Sequence, residues 1–449
     1  MAEILTTEIL ARLQFALTVM FHYLFPPLSI GLGLILVLTE GIYLKTKNPI
    51  YEKITKFWVK IFAVNFAMGV ASGLVMEFQF GTNWASYSRF VGDIFGSALA
   101  AEGIFAFFLE SGFLAILVFG WDRVSPKIHF LSTIMVCLGS MFSAVWIIVA
   151  NAWMQTPTGF HLIGEGMQTK AVIVDFWAMV FNPSSVRMLI HAIIGCWLMG
   201  AFFVMSISAW YILKNKYLAV AKKSFVIALV LAFLSSCLAA FSGHFLAERV
   251  AETQPAKMAA MEGHFITGEG GAPLYLFGIP NKEKQSVEYG LKIPGGLSFL
   301  LYGNFSQTVK GLDQFKLEDQ PPVGITFQTY HLMIALGMYM LFLTTFSLIL
   351  LKLNKLFQLK WLMKIYCISV VAPMIANQAG WIATEVGRQP WIVYGLMRTP
   401  EGLSKAVKAE EILISIVLFT IIYLLLLLVW IFVVHNKIKH GPEELTEKK

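Results

Sequence analysis

A set of ionisable side chains lies inside or at the ends of long apolar runs of this sequence, where a charge is costly. Insertion scales put that cost at roughly 2.5–3.5 kcal/mol at the centre of a membrane helix, so such residues are candidates for function. The set comprises His22, Glu77, Glu102, Glu110, His191, His331, Glu385 and Arg388. Histidines and carboxylates in apolar surroundings can ligate a metal or transfer protons. The residue types therefore indicate metal or proton chemistry inside a membrane.

Two of these histidines have surroundings suited to haem. His22 is flanked by aromatic residues and followed by a Pro-Pro pair, and His191 precedes Gly195, which leaves space for a flat group. A neutral imidazole in such a setting is suited to axial ligation of haem iron. The alternative for each histidine is a hydrogen bond between helices. His129, at the start of another apolar run, is expected to be interfacial.

The carboxylates Glu102 and Glu110 share one apolar run and are eight residues apart. On a regular α-helix they differ by about 80° around the axis and about 12 Å along it, so they face neighbouring sectors. This arrangement favours one carboxylate ligand and one proton-relay group over a two-carboxylate acid/base pair. The alternative is a protonated glutamate that is bonded to a neighbouring helix.

Two further pairs leave their roles open. Glu385 and Arg388 are three residues apart, so they share a helix face and either neutralise each other or leave Arg388 to hold a carboxylate such as a haem propionate. His331 and Met333 point about 200° apart on a helix, so they cannot both ligate one metal. Spacing alone does not choose between them.

The composition indicates the elements that must position these residues. Hydrophobic residues make up 57% of the 449 positions and charged residues 14%, whereas soluble domains average roughly 45–50% and about 25%. Nine runs reach the about 20 apolar residues that span a bilayer. They are 14–43, 57–82, 93–120, 128–153, 186–213, 224–248, 324–352, 361–386 and 410–435. We therefore predict an all-α integral membrane protein with about nine transmembrane helices.

The distribution of Lys and Arg predicts the orientation of these spans. Basic residues concentrate in alternate short loops, such as 44–56 and 214–223, and in the tail, which includes Lys448 and Lys449. Cytoplasmic loops carry this excess. We therefore expect the N-terminus outside and the C-terminus in the cytoplasm.

One long connection separates two groups of spans. Residues 1–248 hold spans one to six and residues 324–449 hold spans seven to nine, while 249–323 forms an outer loop of mixed charge. Long loops of this kind are usually functional or disordered. Within it, Gln254 to Glu262 has helical character, and the glycine-rich Gly268 to Pro273 breaks regular structure.

Several stretches resemble subunit I of the cytochrome bd-type quinol:O2 oxidoreductases, which are bacterial terminal oxidases. They occur in the order of that family and fall in spans one to four, in the long loop and at the end of span eight. The stretches are ARLQFALTVMFHYLF (11–25), TKFWVKIFAVNFAMGVASGLVMEFQFGTNW (55–84), AAEGIFAFFLES (100–111), WIIVANAWMQTP (146–157), QPAKMAAMEGH (254–264) and GWIATEVGRQPW (380–391). The most specific are MEFQFGTNW and GRQPW.

The resemblance assigns roles to individual residues. It implies that His191 and Met333 ligate a low-spin haem b, with His331 at a position where the family often has Arg. The other implied axial ligands, those of a high-spin haem b and of haem d (or a third haem b), are His22, Glu102 and Glu385. Glu110 matches a proton-delivery carboxylate, Glu77 and Arg388 match haem-environment residues, and Lys257 and Glu262 match the quinol site.

The resemblance implies a terminal oxidase subunit that oxidises ubiquinol or menaquinol at the outer face. It would reduce O2 to water with cytoplasmic protons and generate a proton motive force without pumping. It implies the bacterial cytoplasmic (inner) membrane, a second membrane subunit and room for a small single-span subunit, with lipid as surroundings and no nucleic acid. Two alternatives remain from the residues alone: a b-type cytochrome electron-transfer subunit, and a proton-coupled transporter that uses Glu102, Glu110 and Glu385.

Overall fold

The structure, a computed structural model, describes residues 6–268 and 270–442. Within these ranges nine helical segments are long and apolar enough to span a membrane. The predicted all-α membrane fold is therefore confirmed, and the strands of this part of the chain form three two-stranded antiparallel hairpins. The tail lysines Lys448 and Lys449 lie outside the described residues.

The described helices are α1 (Thr7–His22), α2 (Pro26–Thr46), α3 (Pro49–Thr82), α4 (Ala85–Phe90), α5 (Gly92–Glu102), α6 (Phe108–Phe119), α7 (Pro126–Gln155), α8 (Phe176–Val180), α9 (Ser185–Leu213), α10 (Leu218–Thr253), α11 (Pro255–Glu262), α12 (Gly296–Tyr302), α13 (Val323–Lys352), α14 (Lys360–Ser369), α15 (Val371–Val386) and α16 (Ala409–His440). The hairpins pair β1 (Phe160–Ile163) with β2 (Lys170–Ile173), β3 (Leu274–Asn281) with β4 (Ser286–Ile293), and β5 (Trp391–Val393) with β6 (Met397–Arg398).

Two spans that were expected to be continuous are each built from two helices. The first breaks between α1 and α2, directly before Pro26, because proline lacks an N–H group and its ring clashes with the preceding turn. The eighth breaks between α14 and α15 at Val370, which places Pro373 in the first turn of α15, where proline is tolerated. His22, a residue of the candidate site, is the last residue of α1 at the first break.

Small residues allow the central helices α2 and α9 to cross closely. A Cβ atom added at Gly31 would overlap the Cys196 carbonyl, and one added at Gly200 would overlap the backbone of Gly31. Lipid tails are as apolar as the helices, so close packing of small residues is a main source of association in membranes. The crossing lies in the larger of the two main apolar clusters. That cluster includes residues of α2, α3, α9, α10, α13, α14 and α15.

The long connection between α10 and α13 is largely folded. Helix α10 continues to Thr253, and α11 follows directly as the predicted helical segment. The β3–β4 hairpin is fixed to α13 by the Gln328 side chain, whose Nε2 donates to the Gly278 carbonyl at 2.7 Å. Gln254 Nε2 donates to the Gln155 carbonyl at 2.7 Å and ties the start of α11 to the end of α7. These contacts hold α11 over the ends of the spans.

His129, in the first turn of α7, is buried against another helix. Its side chain lies 2.6 Å from the Glu40 carboxyl group, and both residues are 1% exposed. Thr133 donates to the second oxygen of Glu40 at 2.5 Å. Because α2 supplies a buried partner at the same depth, α7 can bury His129 at its first turn. Glu40 was missed, although an acidic residue inside the first predicted span was a usable signal.

Replacing His129 with alanine is expected to destabilise the protein by about 3–5 kcal/mol, because removing one member of a buried pair strands the other. The Glu40 carboxyl group would keep Thr133 but lose its imidazole partner. Thermal unfolding in detergent measures the effect. The double variant Glu40→Leu/His129→Leu should lose less, since it leaves no buried carboxyl group without its imidazole partner, and an unchanged transition in His129→Ala would contradict the prediction.

Candidate functional site

His22 ends α1 at the break in the first span and faces α3. Its Nδ1 lies 3.0 Å from Ser72 Oγ, and no hydrogen bond engages Nε2 within the described residues. Gly73 lies against the edge of the ring, where an added Cβ would come within 3.2 Å of His22 Cε1. One ring nitrogen is therefore held by the protein and the other is free.

His191 has the same arrangement in the first turns of α9. Its Nδ1 lies 2.9 Å from Ser242 Oγ on α10, and Nε2 has no hydrogen-bond partner in the part of the chain that the structure describes. Gly243 makes room for the ring edge, where an added Cβ would stand 3.3 Å from His191 Cε1. His191 thus also offers one unpaired nitrogen.

His331 and Met333 differ in whether their potential ligand atoms already have hydrogen-bond partners. Both ring nitrogens of His331 lie 2.9 Å from backbone carbonyl oxygens, Nδ1 from that of Phe327 and Nε2 from that of Tyr275. His331 therefore connects α13 to β3 and has no free nitrogen for a metal. Met333 Sδ lies beside Gly380 of α15, where an added Cβ would be 2.8 Å away. Only Met333 offers an uncommitted donor atom.

Glu102 and Glu110 both face α7, which corrects the expectation of neighbouring sectors. Ser143 Oγ donates to Glu102 Oε1 at 2.5 Å, and Glu110 contacts Gly139 and Ser140 one turn away on the same helix. The residues between the two carboxylates, Gly103–Phe107, form a π-helical turn instead of a regular α-helix. That turn changes the angle between them, and π-bulges are frequent at functional sites.

Three donors surround the carboxylate of Glu385 near the end of α15. Asn151 Nδ2 donates to Oε1 at 2.9 Å and Gln155 Nε2 at 3.3 Å. Arg388 pairs with Oε2 at 2.5 Å, and its own side chain is 4% exposed. The two residues therefore do form an ion pair, and the α7 amides hold its carboxylate in place.

The outer loop is connected to this carboxylate through one side chain. Lys257 Nζ donates to Gln155 Oε1 at 3.1 Å, while Gln155 Nε2 donates to Glu385. Lys257 is 4% exposed. Burial lowers the pKa of Lys257 to about 7, an effect that Glu385 partly offsets and Arg388 reinforces. The Gln155 side chain therefore bridges Lys257 of the outer loop and Glu385, a candidate ligand within the spans.

Glu262 is buried at the end of α11. It is 1% exposed, and neither carboxylate oxygen makes a well-formed hydrogen bond within the described residues. Burial raises the pKa of Glu262 to about 7, and the neighbouring Tyr330 hydroxyl partly opposes that shift. A buried carboxylate that titrates near neutrality is suited to accept a proton at physiological pH.

The structure brings some of the candidate residues together and leaves others apart. Glu385, Arg388 and Lys257 form one hydrogen-bonded group through Gln155. His191 and Met333 lie on α9 and α13, which both pack against α10 and α15. Glu77 is exposed on α3 and lies close enough to Glu102 for the two carboxylates to interact electrostatically.

Sequence reasoning missed the polar side chains that hold the candidates. They are Ser72, Ser143, Asn151, Gln155 and Ser242. Ser72, Asn151 and Gln155 lie inside the stretches that carry the resemblance, but nothing in those stretches singled them out, because serine and amide side chains are common in membrane helices. The signal was three-dimensional: each one is opposite a candidate residue on a neighbouring helix.

The donor set is suited to haem iron. His22 and His191 each present one free ring nitrogen, and Met333 presents a thioether, which are known types of axial ligand. Gly73 and Gly243 leave space at the edges of the two imidazole rings, and Gly380 leaves space beside Met333 Sδ. Arg388 can pair with a carboxylate such as a propionate. The residues present therefore fit the group that the resemblance implies.

Comparison with known proteins gives a consistent result. A family model described as cytochrome bd terminal oxidase subunit I matches residues 10–442. The chain is 40% identical over 444 residues to cytochrome bd ubiquinol oxidase subunit 1 of Bacillus subtilis (strain 168), covering 97% of this chain and 94% of that protein. It is 33% identical to cytochrome bd-II ubiquinol oxidase subunit 1 of Escherichia coli (strain K12), with 98% of each covered.

A solved structure shares the fold. The bd oxidase from Geobacillus thermodenitrificans superposes with a TM-score of 0.89 at 30% identity, and the match covers 98% of this chain and 99% of that chain. The likeness therefore extends over all nine spans and the outer loop of the described chain.

Proposed function

The chain belongs to the cytochrome bd terminal oxidase subunit I family, and on this basis we propose a role for each candidate residue. It is a subunit of a terminal quinol oxidase, a quinol:O2 oxidoreductase of the respiratory chain. In the proposal, two quinols are oxidised at the outer face for each O2 reduced to two waters. Four protons are released outside and four are taken from the cytoplasm, so charge separates without a pump.

The observation that carries this proposal is the pair of intramembrane histidines with one nitrogen bonded and the other free. In each case the contact with serine links two helices, and the second ring nitrogen stays available for a metal. Within the described residues, His22 and His191 each keep Nε2 unpaired. Metal-ligating histidines almost always use their second nitrogen in a hydrogen bond in this way.

Quinol oxidation is assigned to α11. Removing two electrons from a quinol also releases two protons, so a base is needed beside its hydroxyl group. Glu262 accepts the first of these protons, since its buried carboxylate titrates near neutrality and has few competing donors. Lys257, held by Gln155, orients the headgroup by donating to a quinol oxygen.

The spans are assigned to electron transfer and oxygen reduction. Haem supplies one-electron transfer and the site at which O2 binds. His191 and Met333 hold a low-spin haem b, while His22, Glu102 and Glu385 hold a high-spin haem b and haem d, or a third haem b. Arg388 neutralises Glu385 and is available to a propionate, and Glu77 contributes to the haem environment. Glu110 passes protons towards Glu102 along α7.

The assembly and orientation follow the same proposal. We place the chain in the bacterial cytoplasmic membrane with the N-terminus outside and the 249–323 loop facing the quinol from that side. A second membrane subunit completes the oxidase, and a small single-span subunit is compatible with it. The substrate is ubiquinol or menaquinol.

Oxygen consumption by the purified complex tests the proposal. Reduced quinol should drive O2 uptake at two quinols per O2, and liposomes containing the complex should become acidic on the side of the loop. Quinol oxidation that requires another electron acceptor and consumes no O2 would instead favour an electron-transfer cytochrome. Inactive, colourless protein would favour a transporter.

The rate of quinol oxidation is expected to be bell-shaped in pH, with a maximum near 7. Glu262 must lose its proton to act as base, so the rate falls as pH decreases below about 7. Lys257 must keep its proton to donate and hold the headgroup, so the rate falls as pH rises above about 7. Steady-state rates with a soluble quinol measure the profile. Lys257→Met should lower the rate and remove the alkaline limb alone; an unchanged profile would contradict the assignment.

A further inference from the structure

A Ser-Gly pair occurs opposite each of the two histidines. Ser72 and Gly73 lie on α3 against His22, and Ser242 and Gly243 lie on α10 against His191. The four helices are different, and the pairs belong to different parts of the sequence. The same contact between a Ser-Gly pair and a histidine therefore occurs at two separate places in the fold.

The hydroxyl group of each serine also reaches a carbonyl oxygen of its own helix. Ser72 Oγ lies 2.8 Å from the Met68 carbonyl oxygen, and Ser242 Oγ lies 3.3 Å from that of Ala239. With the hydroxyl donating to its own helix, the serine oxygen would accept from the imidazole. That arrangement would place the ring hydrogen on Nδ1 and leave Nε2 with the free electron pair that a metal ligand needs.

The glycine that follows each serine sets how closely the ring approaches. A Cβ at Gly73 would stand 3.2 Å from His22 Cε1, and one at Gly243 would stand 3.3 Å from His191 Cε1. Contacts this short force the ring to move by a few tenths of an ångström. The serine therefore fixes the tautomer and the glycine fixes the position of the ring edge.

We propose that Ser72-Gly73 and Ser242-Gly243 are matched histidine seats that present Nε2 of His22 and His191 to haem iron. The inference rests on the proposed function, because it presumes that these histidines are ligands. The serines are positioning residues that act through the imidazole. Partners of this kind orient the ring and raise the basicity of the ligand nitrogen.

Removing each serine hydroxyl should affect one haem only. Ser242→Ala should loosen the low-spin haem, and Ser72→Ala a high-spin haem, with a loss of about 10- to 100-fold in affinity at that site. The haem that remains should have a higher midpoint potential, because the imidazole without its acceptor donates less charge to the iron. Ser→Thr at either position keeps the hydroxyl group and should restore both properties.

The experiment uses the whole purified complex and three measurements besides turnover. Haem content and redox titration of the reduced-minus-oxidised spectrum report on the low-spin haem, and the CO-difference spectrum reports on haems with an open iron position. Ser236→Ala is the matched control, since its buried hydroxyl on α10 makes no hydrogen bond within the described residues. Gly73→Ala and Gly243→Ala should displace the ring and alter the same haem as the neighbouring serine.

The outcomes separate this inference from the proposed function. Wild-type complex without haem would contradict the proposed function. Wild-type complex with haem, and with unmoved potentials and haem contents in both Ser→Ala variants, would overturn the histidine seats alone. Equal loss of all haems in either variant would also overturn them, because it would indicate a general folding defect.

Discussion

Replacing His191 with alanine is expected to remove the low-spin haem and to reduce quinol-driven oxygen consumption by about 100-fold or more. Replacing a residue that only hydrogen-bonds to a metal ligand typically lowers metal affinity or activity 10- to 100-fold. His191 is proposed as a ligand itself, so its loss should cost more. Electrons from the quinol site would then lack their first acceptor. Haem content, the reduced-minus-oxidised spectrum and O2 uptake measure the result.

Two further variants make this prediction specific. Met333→Leu keeps an apolar side chain of similar size but removes the thioether, so the low-spin spectrum should change while the fold is retained. His331→Gln is the matched control two residues away, because both nitrogens of His331 already face the backbone. An altered low-spin spectrum in His331→Gln with a normal one in Met333→Leu would show that the ligand was assigned to the wrong residue.

Glu262→Gln is expected to slow quinol oxidation by about 10²- to 10⁴-fold, the usual contribution of a positioned general base. The amide has nearly the same shape but cannot accept the hydroxyl proton. Dithionite, which delivers electrons without the quinol site, should still reduce the haems fully. The variant therefore separates loss of the base from loss of the cofactors.

Glu252→Gln provides the matched control for this variant. Glu252 is also near the start of the loop, but its side chain is 58% exposed and pairs with Arg249 at the surface. A surface pair contributes little, so both stability and quinol oxidation should be close to wild type. Wild-type quinol oxidation by Glu262→Gln would contradict the role of that carboxylate.

The fold was predictable because its dominant signal is long and local. Each span is a continuous apolar run, and only helices satisfy their backbone groups alone in lipid. The breaks at Pro26 and Val370 were harder to foresee, since a proline in a membrane helix permits a kink, a break or a new start. The Pro-Pro pair after His22 indicated an irregularity in the first span, but not that one helix ends there and another begins.

The candidate site was predictable where a residue is unusual for its surroundings. Glu102 and Glu110 were found as charges in an apolar run, yet their relative direction was wrong because a π-helical turn separates them. His129 was identified, but its burial was not, since that burial depends on Glu40 from another helix. Contacts between distant segments, such as Gln155 with Lys257 and Glu385, leave no pattern in one sequence.

The central claim is that this chain holds haem in its spans through His22, His191, Met333, Glu102 and Glu385. A dithionite-reduced minus air-oxidised visible spectrum of the purified complex tests it most directly. We predict b-type bands together with a red-region band of a chlorin-type haem, or b-type bands alone in an all-b variant that binds CO and consumes O2. A folded, full-length complex without any haem signal would contradict the account.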